Sequence, residues 1–444
     1  MAFLLKSATL VTFEPATVEA GDLRVHRGVI VERGPRLESR PGEEVIDLGG
    51  KLVMPGMVCA HTHLYSTLAR GMPAPPRAPS SFKETLELVW WRLDRALDEE
   101  TIYWSALAGA LDAARAGTTC LFDHHASPSH ITGSLQIVCD AIEKAGLRGV
   151  LCYEVTDRGG LKQRDEGIEE NRAFLDWVRR SGVASSSAGR AGLFRAMVGA
   201  HASFTLSDES LDACADLMRE YDAGLHIHAA EDECDGGETS EKYQAYWVVD
   251  RLARHGLLNP RTILAHGVHL DDYEIEAARD AGVWFAHNPR SNMNNQVGCA
   301  PVAKFGDRLV LGTDGIGADM FEEARFAFFR ARDAGSPLGA QEWLRVLAAN
   351  QRLASQVFGQ EMGSLMPGSA ADLIVLDYQS PTPVTPENLA WHFIFGITSS
   401  SVESVMVNGE FVIKERRPIL DESNVYEQAR KASEKLWANL RSLS

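Results

Sequence analysis

Nowhere in its 444 residues does the chain run apolar for long enough to cross a membrane. The opening residues are broken early by Lys6, and no basic flank, apolar stretch and small-residue cleavage site follow in order, so neither a membrane span nor a signal peptide is expected. Positive charge is scarce. Lys and Arg number 44 against 61 Asp and Glu, and the net charge of -17 excludes a cationic groove for nucleic acid and favours a small substrate. Cysteine is sparse too: seven residues, an odd number set in apolar surroundings such as Val58-Cys59 and Leu151-Cys152, exclude a disulfide framework and point to reduced core thiols. Repeats, low-complexity tracts and charge blocks are missing. The expected compartment is the cytoplasm.

What is present is globular: 45% hydrophobic and 24% charged residues in a length that suits a large barrel with an accessory domain. Short β-type runs at residues 8–13, 22–25, 29–31 and 44–47 are separated by Gly, Pro and charged turns. The pattern returns at 371–378 and 402–413, where Val407-Asn408-Gly409-Glu410 supplies a hairpin turn. Residues 1–55 and 360–422 are therefore expected to join in one small composite β-sandwich. Residues 423–444 read as a docking helix, with Ser423 as N-cap and Val425, Ala429, Ala432, Leu436 and Leu440 on one face. The Ser-rich stretch 181–192 reads as a loop.

Across 56–359 apolar runs alternate with helical segments, the pattern of an α/β protein with a parallel sheet. Strands are expected at 57–63, 118–124, 149–155, 196–201, 224–228, 262–266, 283–287 and 309–313, and eight of them fit a closed (β/α)8 TIM-like barrel. Most end in a reactive residue: His63, Asp123 with His124 and His125, Glu154, His201, His228, His266, His287 and Asp314. In such a barrel all strand C-termini open onto the face that carries chemistry. Packing does not explain histidine recurring at this one position.

The run from Met54 to His63 brings two histidines onto one strand, where alternation puts His61 and His63 on the same side, able to grip one metal ion. A lone His-x-His is a weak signal. It gains weight from His226-Ile227-His228-Ala229-Ala230-Glu231, Leu264-Ala265-His266-Gly267 and Leu311-Gly312-Thr313-Asp314-Gly315 downstream. These motifs, with Leu52-Val53-Met54-Pro55-Gly56 and the stretch 367–373, resemble the amidohydrolase superfamily, in its branch of metal-dependent ring deaminases and chlorohydrolases. Residues 90–98 and 123–128 are similar to the SsnA-type aminohydrolases of that branch.

The resemblance implies His61, His63, His228 and Asp314 as ligands of one divalent ion, a set that suits Zn²⁺ and also Fe²⁺. Strand four ends Val198-Gly199-Ala200-His201 without a group to bridge a second metal. The implied activity is hydrolytic deamination. An activated hydroxide attacks an sp² carbon of a purine, pyrimidine or triazine-like ring and ammonia leaves, with Glu231, His266 and Asp314 as catalytic residues. Without the preceding histidines, Glu231 reads as one solvated acid among Asp232, Glu233 and Asp235. Candidate substrate contacts are His201, Trp90, Trp91, His125 and Arg290. Of the adjacent His124 and His125 only one can face the barrel mouth, and His226 lies a layer below His228, packed or hydrogen-bonded. Arg290 either holds a carbonyl or anionic substituent or ties its loop. The same chemistry would serve loss of chloride or a substituted amine, and a barrel without catalysis is the alternative of another class. Analogy with the superfamily implies a homodimer.

Overall fold

The computed structural model describes residues 2–184 and 190–443. Five strands come first: β1 (Ala2–Phe13), β2 (Ala16–His26), β3 (Val29–Gly34), β4 (Glu44–Asp47) and β5 (Leu52–Pro55). The central strands follow as β6 (Met57–Thr62), β7 (Thr118–His125), β8 (Arg148–Tyr153), β9 (Phe194–Ala196), β10 (Val198–Ala202), β11 (Leu225–Ala229), β12 (Ile263–His266), β13 (Trp284–His287) and β14 (Leu309–Leu311). The chain ends through β15 (Leu373–Leu376), β16 (Val402–Val407), β17 (Glu410–Lys414) and β18 (Arg417–Pro418) before a last helix, Glu422–Ser442.

The central strands pair in parallel in two arcs, β6-β7-β8-β9 and β10-β11-β12-β13-β14. One seam closes where Thr62 bridges Asp314 and the Thr313 amide donates to the His61 carbonyl over 2.8 Å. The other closes where Val155 bridges Ala200 and the His201 amide donates to the Val155 carbonyl over 2.9 Å. The expected fourth strand is thus interrupted at Met197, and its halves belong to different arcs. Alternation sends Val58, Ala60, Phe122, Val150, Ala265 and Val310 into one buried cluster along the axis. Their sequence neighbours, such as Leu121, Leu151, Ile227 and Leu264, pack against the surrounding helices.

Both chain ends enter one sheet of order β18-β17-β16-β15-β5-β1-β2-β3, with β4 beside β1. It curls on itself: the Ile30 amide donates to Ser369 and the Gly368 amide to Ile30, so β3 returns to the segment before β15. Phe3, Leu10, Leu23, Val53, Leu373 and Met406 fill the core between its halves. This unit is fixed to the lower end of the barrel by Asp372. Its Oδ2 accepts from Arg148 Nε over 2.6 Å, and its carbonyl accepts from the Gly56 amide over 2.9 Å.

The last helix buries Val425, Ala429, Ala432, Leu436 and Leu440 as expected, but its N-cap is Asp421, whose side chain accepts from the Asn424 amide. Ser423 already lies inside the first turn. Of the expected loop at 181–192, residues 181–184 finish the helix Leu161–Ala184 and 190–193 form a short 3₁₀ turn, while 185–189 lie outside the described residues. All seven cysteines are free thiols. No helix among the described residues is long and apolar enough to cross a membrane.

Candidate active site

Four histidines meet at the open end of the barrel, and each has its Nδ1 already engaged. His63 Nδ1 lies 2.5 Å from the His124 carbonyl and His228 Nδ1 lies 2.8 Å from the His201 carbonyl. His61 Nδ1 meets His226 Nε2 at 2.8 Å, and His266 Nδ1 meets Asn292 Oδ1 at 2.8 Å. A carbonyl oxygen only accepts, so His63 and His228 carry protons on Nδ1 and turn their Nε2 atoms inward. Those two Nε2 atoms are 3.2 Å apart. Two such nitrogens are held at that separation by a proton or a cation shared at Nε2. His61 Nε2 and His266 Nε2 are buried without a hydrogen-bond partner, and the ligand atoms of His61, His228, His266 and Asp314 fall within 4.8 Å of one another. Asp314 Oδ1 is 2.9 Å from His63 Nε2 and 3.4 Å from His61 Nε2. This donor set fits one divalent cation.

Backbone irregularities aim these side chains. β6 shifts register between Cys59 and Thr62, so His61 faces the axis although Cys59 does not. His266 would share the outward face of Leu264, but its left-handed φ of 75° breaks the alternation. Asp314 (φ 53°) and Ala230 (φ 48°), beside Glu231, occupy the same sparsely populated region, a local strain the surrounding fold holds in place at the site. A side chain at Gly312 would strike the His61 and Asn288 atoms at 2.5–2.8 Å, so only glycine lets β14 close against β6 here.

Electrostatics divides the group. Burial drives the His61 imidazole down to about 3 and holds His226, His228 and His266 below the ordinary value, so they are neutral. His63 is the exception. Burial lowers it, but Asp314, with Glu154 and Asp123, outweighs that effect and brings it to about 9. Asp314 is correspondingly held well below the carboxylate range by His61 and His63 despite its burial. A bound cation would take the place of the His63 proton. Glu231 moves the other way: burial and the neighbouring Asp314 charge push its carboxyl well up. It lies 3.5 Å from His266 Nε2 and accepts from Asn295 Nδ2 over 3.2 Å.

Above these groups opens a pocket walled by Phe82, Leu86, Trp90, Trp91, Tyr65 and Phe204. A π turn over Leu86–Trp90, closed by the Trp91 amide on Leu86, precedes the helix Trp91–Ala96. Both tryptophans reach the pocket. His201 is there as well, its Nδ1 held 2.7 Å from the Thr205 hydroxyl.

Two expected substrate contacts are not brought together with the rest. His125 points outward from β7, fully buried, with Nε2 2.9 Å from Ser127 Oγ and its ring against Tyr65 and Tyr153. It is His124 that faces the axis, bonded through Nε2 to the Ala200 and His226 carbonyls. Arg290 is tied by Glu322, the buried Glu323 and the Gly317 carbonyl, and lies outside the pocket. The tie to its loop, not a substrate group, satisfies it. Missed from the sequence were Asn295, Asp94 and the aromatic wall at Tyr65, Phe82 and Phe204. Glu154 was visible as a strand end and was not chosen as a site residue, yet it lines the pocket beside His201 at 3.9 Å.

Residues 52–412 match the amidohydrolase family. This chain belongs to that family. As an amidohydrolase it is a metal-dependent hydrolase that acts on carbon–nitrogen bonds other than peptide bonds. It is 31% identical to a 5'-deoxyadenosine deaminase of Methanosarcina mazei over 99% of both chains. It is also 31% identical to a 5-methylthioadenosine/S-adenosylhomocysteine deaminase of Pelotomaculum thermopropionicum over 98% of both. The crystal structure of an adenosine deaminase from Xanthomonas campestris with bound zinc shares the amidohydrolase fold, with a TM-score of 0.84 and 24% identity over 98% of both chains.

Proposed function

We propose that this amidohydrolase deaminates the 6-aminopurine ring of a nucleoside-like substrate, with one Zn²⁺ held by His61, His63, His228 and Asp314. The observation that carries the reading is the pair of Nε2 atoms of His63 and His228 turned toward each other at 3.2 Å, with Asp314 and Glu231 beside them. The relatives named as deaminases of adenosine derivatives, matched along nearly the whole chain, direct the choice of ring. When bound, the cation supplies Lewis acidity that brings a water towards a pKa of about 7.

The side chains do the rest. Trp90 and Trp91 orient the planar ring by stacking against it. Glu231 donates its proton to the ring nitrogen beside the amino-bearing carbon, which makes that carbon electrophilic. Asp314 takes the first proton of the incoming water, and His266, fixed by Asn292, orients the attack. The first proton passes to the departing amine as the carbon–nitrogen bond breaks, and the second returns to Glu231 as the carbonyl forms. Water and the aminopurine are thereby converted to the oxopurine and ammonia.

The test is to assay zinc-loaded protein with 5'-deoxyadenosine, adenosine, guanine and a chlorotriazine, following ammonia, chloride and the ring absorbance. Ammonia release with conversion of 5'-deoxyadenosine or adenosine is expected, and ammonia from guanine alone overturns the choice of ring. Chloride release alone, or turnover of a ring without ammonia, overturns the proposal.

A further inference from the structure

The pocket above the donors is lined by six carboxyl side chains, Asp94, Glu154, Glu231, Asp232, Asp235 and Asp314, and among the described residues by no lysine or arginine. The guanidinium of Arg158 stands behind two of them, and it is engaged. Its Nη2 lies 2.8 Å from Glu154 Oε1, its Nη1 lies 3.3 Å from Asp94 Oδ2, and its plane covers Trp91 at 4.6 Å. One positive charge thus serves two carboxyl groups, each at most 4% exposed, and burial pushes that of Asp94 up to about 7. Asp94 Oδ1 is buried at the pocket wall without any hydrogen-bond partner. Glu154 is the committed anion of the two, since His201, His124 and Arg158 hold it well below the carboxylate range despite its burial.

A wider chamber lies across Trp90 and shares His63, Ser66, Asp314 and Gly315 with the pocket. It carries arginines, but they are balanced in the same way: Arg70 by Asp112, Arg115 by Glu422, Arg290 by Glu322 and Glu323. A substrate tail extending in either direction therefore meets acceptors and carboxyl groups, and among the described residues only arginines that already have acidic partners.

Resting on the reading of this site as a ring aminohydrolase, we propose that it selects by charge. Its substrate is a neutral or cationic N-heterocycle rich in hydrogen-bond donors, and the wall made by Asp94 and Glu154 rejects a carboxylate or phosphate carried on the ring's substituent. A buried like charge at this range costs enough to reduce binding on the order of 100-fold. Neutral donors, in contrast, meet Asp94 Oδ1 and the Glu154 carboxylate directly.

Charge is separated from size by comparing adenosine-5'-carboxamide with adenosine-5'-carboxylate, and adenosine with adenosine 5'-monophosphate, on the zinc-loaded protein. The expected kcat/KM is about 100-fold higher for the carboxamide than for the carboxylate, with the monophosphate still weaker. A carboxylate within tenfold of the carboxamide overturns the proposal. Glu154→Gln is expected to narrow the ratio by about tenfold where it folds; the wild-type series decides the question where it does not. If no compound releases ammonia, the aminohydrolase reading fails by itself, and quenching of tryptophan fluorescence by the same four compounds still tests charge selection. Tighter binding of the neutral member of each pair supports it, and equal binding overturns it.

Discussion

The role proposed for Glu231 rests on its surroundings. A carboxyl on an exposed loop is ionised at neutral pH and is useless as an acid there. This one is enclosed beside Asp314, and the work of placing a second negative charge next to the first keeps its proton in place. Glutamine in its place would retain the shape and the bond to Asn295, but would have no proton to give. Glu231→Gln is accordingly expected to keep its metal content while kcat falls by about 10² to 10⁴. Metal analysis beside steady-state rates checks this, and full turnover with full metal removes Glu231 from the mechanism. At this scale the sequence was readable where chemistry and periodicity agree. His63, His201 and His228 follow strand alternation; alternation also required that only one of His124 and His125 face the mouth, but it did not say which, and the expected contact, His125, is the one that points outward. It was unreadable where one dihedral or one register shift decides the outcome, as at His266 and His61. It was also silent on Asp94 and Phe82, whose residue types carry no chemical signature.

The segment after β13 shows how one short element serves the whole site. In the helix Pro289–Asn294 and the residue that follows, Ser291 donates to Asp314 Oδ2, Asn292 holds His266, and Asn295 reaches Glu231. Arg290 anchors this helix through Glu323, which lies on the helix Met320–Asp333 and is fully buried. That anchor depends on a partner 33 residues away in sequence, so no local pattern could separate it from a substrate contact. Arg290→Met would leave the Glu323 carboxylate buried without its counter-charge, at a cost of ~3–5 kcal/mol. The thermal midpoint is expected to fall, and adding Glu323→Gln should restore most of it. A substrate-binding role predicts the opposite pattern: little change in the midpoint, and a raised KM that the second substitution does not repair.

At the scale of the molecule, the chain ends are joined to the barrel at the end remote from the chemistry. Arg148 opens β8, and its guanidinium, 2% exposed, is neutralised by Asp372 just before β15. The other Asp372 oxygen accepts from the Asn408 amide over 2.6 Å in the turn between β16 and β17. One carboxylate thus ties barrel, sheet and hairpin together, and the two units should unfold in a single transition. Asp372→Ala strands a buried arginine and removes the acceptor of the Asn408 amide, for a loss of ~3–5 kcal/mol. Because β8 begins at the face opposite the pocket, kcat of the folded variant is expected to stay close to wild type while the calorimetric midpoint drops. Two separated transitions in the wild-type protein, or a kcat that falls with the midpoint, would show that the sheet and the site are coupled differently from what this joint requires.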